Sequence, residues 1–375
     1  MLKFDHVSKT YPDGFRAVNS MNFEIKEGEL IVFIGPSGCG KTTTMKMINR
    51  LIPYSEGTIS IRGKDITKEN VVELRRNIGY VIQQIGLFPH YTIEENISLV
   101  PQLKGWKPAR RKERAHELLK MIGLEPAQFA NRYPRELSGG QLQRVGVARA
   151  LAVDPEIVLM DEPFGALDPI TREQLQDELL RLQKTVRKTI VFVTHDMDEA
   201  LKLADRIAVM KEGTLLQLDT PEKLLREPAH GFVETFIGKN RIYQNPDFIS
   251  IKEIMRENPA TALPSLSPAR ALSLMRQRRT DTLLVGDEDG KLAGIVSAYD
   301  LQTQMEGIKA IQEISLPADL SLHESATAKD ALIAITGARF GIIPVVDDGN
   351  RIIGIVTRSS LLTVFADHWA GRKEA

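Results

Sequence analysis

One short stretch limits the fold more than any other. The apolar run Glu29-Leu30-Ile31-Val32-Phe33-Ile34 empties into Gly35-Pro36-Ser37-Gly38-Cys39-Gly40-Lys41-Thr42, and Thr43-Thr44-Met45 follow. The segment fits the phosphate-loop pattern G-x-x-x-x-G-K-[ST] and reads as strand, loop, helix. Its glycines let the backbone wrap an anion, and its N–H groups and the helix N-terminus supply positive potential. Cys39 fills an x position, where no side-chain role is needed. Lys41 is placed to reach β- and γ-phosphates, and the Thr42 hydroxyl to bind Mg²⁺.

Further runs fit the same sheet. Ile157–Met160 and Thr189–Val193 are short, apolar or β-branched, and each is followed by polar residues, as buried parallel strands are. Residues 86–155 are predicted to hold a helical insert rich in Lys, Arg, Glu, Leu and Ala. Arg206–Met210 and Thr214–Leu218 read as a closing strand pair around Glu212-Gly213. Residues 1–238 are thus expected to form one α/β domain. The polar stretch 239–250, with its Asn245-Pro246 turn signal, is read as a linker.

Lys+Arg and Asp+Glu both number 49, so no basic excess points to nucleic acid. The lone cysteine cannot form an internal disulfide and suits a reducing compartment. The N-terminal MLKFDHVSKTYPDG lacks a signal-peptide core, and no stretch approaches the roughly 20 apolar residues of a membrane helix. A role at a membrane would therefore require separate membrane-spanning chains. The expected place is the cytoplasm or the inner membrane face, where ATP is.

The remainder repeats itself. Leu283-Leu284-Val285-Gly286-Asp287 falls over Ile343-Pro344-Val345-Val346-Asp347, and Gly294-Ile295-Val296-Ser297 over Gly354-Ile355-Val356-Thr357. Ala271-Leu272 falls over Ala331-Leu332, and Leu301 over Leu361, all at an offset of 60 residues. Each repeat reads helix, strand, turn, strand, helix. The pattern resembles tandem CBS domains, α+β modules that pair and often bind adenosine nucleotides. The repeats are bounded at 251–312 and 313–370, with a tail at 371–375.

Leu137-Ser138-Gly139-Gly140-Gln141 lies between the phosphate loop and Ile157-Val158-Leu159-Met160-Asp161-Glu162. The three motifs in this order resemble the ABC ATPases. That resemblance covers residues 1–238 and implies a P-loop NTPase fold with ATP and Mg²⁺. Asp161, at a strand end, is matched to the Mg²⁺ carboxylate, with Thr42 and Gln83 as the other metal contacts. Glu162 is matched to the catalytic carboxylate that activates water. His195, in Thr194-His195-Asp196, is matched to the histidine that meets the γ-phosphate. Gln83, after Gly79-Tyr80-Val81-Ile82, is matched to the Q-loop, with Gln84 the neighbouring alternative. Tyr11 is matched to the aromatic that stacks on adenine. Gly165-Ala166-Leu167-Asp168 looks like the D-loop, which crosses the dimer interface, with Gly165 where many members have serine. Ser138, Gly140 and Gln141 form a helix-start anion site, which in this family completes the nucleotide site of a second copy. The resemblance therefore implies a dimer with two ATP molecules at its interface.

The insert is too short for the coiled coils of DNA-repair relatives, and one cassette is present, not the two of translation-factor relatives. Gly86-Leu87-Phe88-Pro89-His90-Tyr91-Thr92-Ile93 lies where importers receive a helix of the membrane subunit. Basic Lys104–Lys112 reads as a solvated helix face, with anionic lipid head groups as the alternative contact. One cassette followed by two CBS repeats resembles the ATP-binding subunit of osmoprotectant importers for glycine betaine, carnitine, choline or proline betaine. That implies membrane-spanning permease subunits as partners, an extracytoplasmic substrate-binding protein indirectly, and the cytoplasmic face of a bacterial membrane. An ATP-dependent soluble switch with a CBS sensor is the alternative of another class.

In CBS pairs, G-h-[ST]-x-x-D sets a hydroxyl and a ribose-binding acid at a strand end. Ser297 and Asp300 match it fully, whereas the second repeat has Thr357-Arg358-Ser359-Ser360, with serine for the acid. Arg358 suits a phosphate instead. An adenine nucleotide or a cyclic dinucleotide is the ligand implied. The alternative is that the pair only stabilises the dimer.

Overall fold

Leu30–Ile34 is buried at every side chain and pairs with a parallel neighbour on each side, so the larger sheet is built outward from it. The computed structural model describes residues 1–83, 86–165, 167–229, 231–238, 241–304, 307–318 and 320–370. Gln84, Ala166, Lys239 and Asn240 of the expected linker, and the tail 371–375 lie outside the described residues. The chain divides into two units, Met1–Gly238 and Lys239–Ala375.

The first unit's strands are β1 (Leu2–Thr10), β2 (Arg16–Ile25), β3 (Leu30–Ile34), β4 (Glu56–Ile61), β5 (Lys64–Asp65), β6 (Ile78–Val81), β7 (Ile157–Asp161), β8 (Thr189–Val193), β9 (Arg206–Lys211) and β10 (Thr214–Asp219). One sheet runs β2-β1-β4-β5 and is antiparallel. The other runs β10-β9-β3-β8-β7-β6 and is parallel except for the closing β9–β10 pair. β3, β7 and β8 are buried along their whole length, which is why they read as unbroken apolar runs. The sheets are stitched by Phe23, which stacks on Phe4 at 4.5 Å and meets Phe33 edge-on at 5.6 Å. Glu212 and Gly213 both have positive φ, 48° and 77°, as a two-residue hairpin turn requires.

The helices are α1 (Lys41–Ile48), α2 (Val71–Arg76), α3 (Ile93–Leu103), α4 (Pro108–Met121), α5 (Pro126–Phe129), α6 (Gly139–Leu151), α7 (Pro169–Val186), α8 (Met197–Leu203), α9 (Pro221–Arg226) and α10 (Gly231–Ile237). The helical insert is α3 to α6. Local chemistry sets the starts. Thr92 and Glu95 make a capping box for α3, and Ser138 and Gln141 make one for α6. Pro108 opens α4, and Asp168 caps α7 ahead of Pro169. Each cap contributes about 0.5–2 kcal/mol.

In the second unit, equivalent positions of the two repeats occupy equivalent core sites. Ala271, Met275, Leu283, Val285, Val296 and Leu301 are buried in one core. Their counterparts 60 residues on, Ala331, Ile335, Ile343, Val345, Val356 and Leu361, are buried in the other. The hairpin turns meet reciprocally: Leu292 N–H donates to the Asn350 carbonyl at 2.9 Å, and Ile352 N–H to the Gly290 carbonyl at 3.0 Å. These bonds exchange at the same offset, so the pair has a pseudo-twofold axis through the turns. Packing and repeat boundaries differ at one place. Ile249, Ile251 and Ile254 lie in the second repeat's core, and Arg256–Glu257 pairs with Ile352–Thr357. The sequence repeat begins at 251, but residues 249–257 are built into the distal repeat.

Candidate nucleotide site

The phosphate loop joins β3 to α1. Pro36, Ser37 and Gly38 are exposed at its tip, Gly35, Cys39 and Gly40 are buried, and Thr43 is half-buried in the first helical turn. Gly40 is the N-cap of α1 with φ 102° and no side-chain cap, so the helix start is left to whatever anion binds there. A Cβ at Gly40 would lie 2.4 Å from the Ala17 carbonyl, so only glycine fits. Lys41 is buried, with Nζ 2.6 Å from the Gly35 carbonyl and 3.1 Å from that of Pro36. Its charge is thereby held inside the loop. Burial pushes the Cys39 thiol up, and the nearby Lys41 offsets that only in part.

Asp161 closes β7 and Glu162 follows it. The Thr42 hydroxyl donates to Asp161 Oδ1 at 3.0 Å. Asp161 is only 8% exposed, and burial raises its carboxyl, while the Thr42 bond and Lys46 lower it. Glu162 has a left-handed backbone, φ 44°, with its N–H bonded to the Val193 carbonyl at 2.9 Å. For a non-glycine residue this conformation is uncommon and costly, and it aims the side chain away from the strand. Gln83 Nε2 donates to Glu162 Oε2 at 3.2 Å, and His195 Nδ1 lies 3.2 Å from the same oxygen. One oxygen of Glu162 thus gathers residues from β6, β7 and β8 ends. Gly165 also faces Glu162, and its N–H donates to the Glu162 carbonyl at 3.2 Å.

Tyr11 sits in the turn between β1 and β2, stacked on Phe15, with Lys9 Nζ 5.1 Å from its ring centre. β2 then runs past the phosphate loop, since Ala17 and Val18 are the neighbours of Gly40. Ser138, by contrast, has no contact with Lys41 or Glu162. Its Oγ accepts the Gln141 N–H at 3.4 Å, and its own N–H donates to Gln141 Oε1 at 2.9 Å. Gln141 Oε1 is therefore engaged in the cap, and Gly140 is buried, where a Cβ would lie 2.6 Å from Thr171 Cγ2. Ser138 and Gly139 are the exposed members, with open space beside Gly139.

Known proteins match this arrangement. Residues 18–165 match the ABC transporter family, and 251–307 and 311–367 match the CBS domain. The glycine betaine/carnitine/choline transport ATP-binding protein of Bacillus subtilis is 51% identical, over 100% of this chain and 98% of its own length. The choline transport ATP-binding protein of the same organism is 52% identical, over 100% and 99%. The chain belongs to the ABC transporter ATP-binding proteins with tandem CBS domains. Among solved structures, a dimeric ATP-binding cassette in a post-hydrolysis state, bound to ADP and phosphate, is 39% identical, with TM-score 0.54, over 59% of this chain and 99% of that one.

As an ABC ATPase, the chain has donors suited to a hard divalent cation: a hydroxyl and a buried carboxylate 3.0 Å apart, with the carboxylate's charge disfavoured by burial. Three features escaped the sequence reading. Asn96, fully buried on α3, accepts the Phe88 N–H at 2.8 Å and donates to the carbonyls of Phe88, Tyr91 and Thr92. Arg149 of α6 donates to the Gly86 carbonyl at 2.6 Å. Gln176 donates to Glu199 at 3.1 Å, both buried. A polar residue on an apolar helix face was the available signal for Asn96 and Glu199.

In the CBS unit, Ser297 and Asp300 are buried and bonded to each other at 2.6 Å. In the second repeat, Thr357 and Ser360 replace that pair by a reciprocal cap, each N–H donating to the other's hydroxyl at 3.0 Å. Serine at 360 is thus used locally. Arg358 is exposed, with Nε near Gly341, and Arg256 Nη2 donates to Ser359 Oγ at 3.3 Å. Among the described residues, no helix is long and apolar enough to cross a membrane.

Proposed function

We propose that this chain is the ATP-hydrolysing subunit of an importer for a quaternary-amine osmoprotectant of the glycine betaine, carnitine, choline or proline type. Full-length likeness to transport ATP-binding proteins of that substrate class supports the reading. The observation that carries the chemistry is the convergence of Gln83 and His195 on Glu162 Oε2, next to the Thr42–Asp161 pair.

The loop amides and Lys41 hold the β- and γ-phosphates. Thr42 and Asp161, with Gln83, would hold Mg²⁺, which supplies charge neutralisation at the phosphates. Glu162 orients the attacking water and takes its proton. Its second oxygen is fixed by Gln83 and His195, which leaves one oxygen for that task. His195, exposed beyond the strand end, meets the γ-phosphate. Tyr11 stacks on adenine. Ser138 and the amides beside it complete the nucleotide site of a second copy, so hydrolysis requires a dimer. The Phe88–Tyr91 loop docks a helix of the membrane-spanning permease, at the inner membrane face, and an extracytoplasmic binding protein delivers solute. The CBS pair regulates the cycle, through a nucleotide or ionic strength.

Glu162→Gln tests the chemistry. Hydrolysis should fall by about 10²–10⁴-fold, the usual worth of a general base, with an ATP-bound dimer accumulating. Hydrolysis at the parent rate would remove Glu162 from its role. Uptake of labelled glycine betaine, carnitine, choline and proline betaine by the reconstituted complex tests the substrate. A protein that copurifies with no polytopic membrane partner is instead the soluble switch.

A further inference from the structure

The segment Thr194–Asp196 is held from outside the nucleotide site by one face of α7. Arg172 and Gln176 are four residues apart on that helix and so share a face. Arg172 Nη2 donates to the Leu167 carbonyl at 3.1 Å, and its Nη1 lies 3.6 Å from Asp196 Oδ2. One turn on, Gln176 Nε2 donates to Glu199 Oε1 at 3.1 Å, and the Glu199 N–H donates to Asp196 Oδ1 at 3.2 Å. Thr194 Oγ1 also accepts the Asp196 N–H at 3.0 Å. The residue after His195 is therefore tied to α7, directly by Arg172 and through Glu199 by Gln176, and Thr194 is tied to that residue, while the imidazole itself is exposed and reaches Glu162.

α7 begins immediately after Gly165–Asp168, the segment matched to the D-loop. We propose that Arg172, Gln176 and Glu199 are positioning residues for hydrolysis, carrying the state of the dimer-facing segment before α7 to His195. The inference rests on the reading that two copies close on ATP through that segment.

Stability gives these residues little reason to be there. The Arg172–Asp196 pair is about a third exposed, and such pairs add little to folding. Burial pushes the Glu199 carboxyl up, with Thr194 and Gln176 pulling it back. An apolar residue would avoid that cost. What Glu199 adds is a directed bond from α7 onto the turn that follows the histidine. Arg172 adds a rigid link between a D-loop carbonyl and the residue after it.

The test uses the full chain. In the Glu162→Gln background, ATP-driven dimerisation is followed by light scattering, and hydrogen exchange of Thr194–Glu199 amides is measured before and after. The unsubstituted face should gain protection on dimerisation. Arg172→Met should dimerise yet lose most of that gain. With Glu162 intact, Arg172→Met should lower kcat by about 10–100-fold, the scale of a small misplacement, with the KM for ATP within about 3-fold. Arg172→Lys should recover part of it. Gln176→Met is the second variant should Arg172→Met fail to fold. Equal protection in parent and variant, or a raised KM at unchanged kcat, overturns the proposal. No dimer in Glu162→Gln itself overturns the dimer reading, and the inference falls with it.

Discussion

Asn96→Ala should separate ATP hydrolysis from membrane coupling. Asn96 is fully buried at the start of α3: its Oδ1 accepts the Phe88 N–H, and its two amide hydrogens are shared among the carbonyls of Phe88, Tyr91 and Thr92. None reaches the nucleotide site. With one accepted N–H and two donated hydrogens, at about 1 kcal/mol net each, alanine forfeits about 3 kcal/mol of loop order. The Thr92 carbonyl keeps the Asn96 backbone N–H, so about 3 kcal/mol is the upper figure. That shifts the ordered-to-disordered ratio by about 100-fold, and affinity for a partner that needs the ordered loop falls by up to the same factor. The assay titrates the purified chain against its membrane subunits, alongside ATPase of the isolated chain. Partner affinity should drop towards that limit, with isolated ATPase within about 3-fold of parent. Asn96→Asp, which keeps the acceptor but turns a carboxylate on three carbonyls, should be no better. Parent affinity in both variants would refute the reasoning. Equal losses of partner binding and isolated ATPase would also refute it, since the loop would then serve the whole fold.

Two further substitutions test the nucleotide site. Gly40→Ala places a Cβ 2.4 Å from the Ala17 carbonyl at φ 102°, so the loop must shift; affinity for a fluorescent ATP analogue should fall by at least about 10-fold, and parent affinity would contradict the packing. Asp161→Asn should raise the thermal midpoint of the nucleotide-free protein while weakening Mg²⁺-dependent ATP binding. Burial raises the Asp161 carboxyl, so the native state binds its proton more readily than the unfolded chain does. Its contribution to stability therefore falls as pH rises through the window just above the ordinary carboxylate value, and asparagine removes that fall. A lower midpoint across pH about 5–7 would show the charge to be stabilising instead.

The sequence disclosed what is local. β3, the loop and α1 are one contiguous pattern, and the Ser138–Gln141 cap spans four residues. The repeat was legible because each core position recurs at a fixed offset, from Ala271 and Ala331 to Leu301 and Leu361. Contacts across the chain were not legible. Glu162 and Val193 are joined by a backbone bond with no side-chain signature, and φ at Glu162 follows from it. Gln176 and Glu199 are adjacent only after α7 and α8 pack. The motif points to Gly140 and Gln141 as ligand contacts; in the single chain Gln141 Oε1 accepts the Ser138 N–H, and a Cβ at Gly140 would lie 2.6 Å from Thr171 Cγ2, neither of which the motif discloses.

The packing of 249–257 bears on how a CBS signal would leave its unit. With Tyr243 packed just ahead of it, this segment is built into a CBS core, but that core belongs to the second repeat, whose later members start at Leu322. Ile251 N–H bonds the Ala326 carbonyl at 2.9 Å, and Lys252 Nζ lies 2.5 Å from Glu324 Oε2, so the attachment is polar as well as apolar. Arg256 ends the segment on Ser359, next to Thr357 and Arg358. A ligand at Thr357–Arg358 therefore has a direct mechanical path to the chain entering the unit, through one strand pair and one side-chain bond. Ser297 and Asp300, buried against each other in the first repeat, also connect to this chain: Thr261–Ala262 beyond it pairs with Thr282–Gly286, and Thr282 pairs with Ser297. Within the unit, the entering chain thus packs into the second repeat before it pairs with the first, although the second repeat's motif departs further from the ribose-binding pattern.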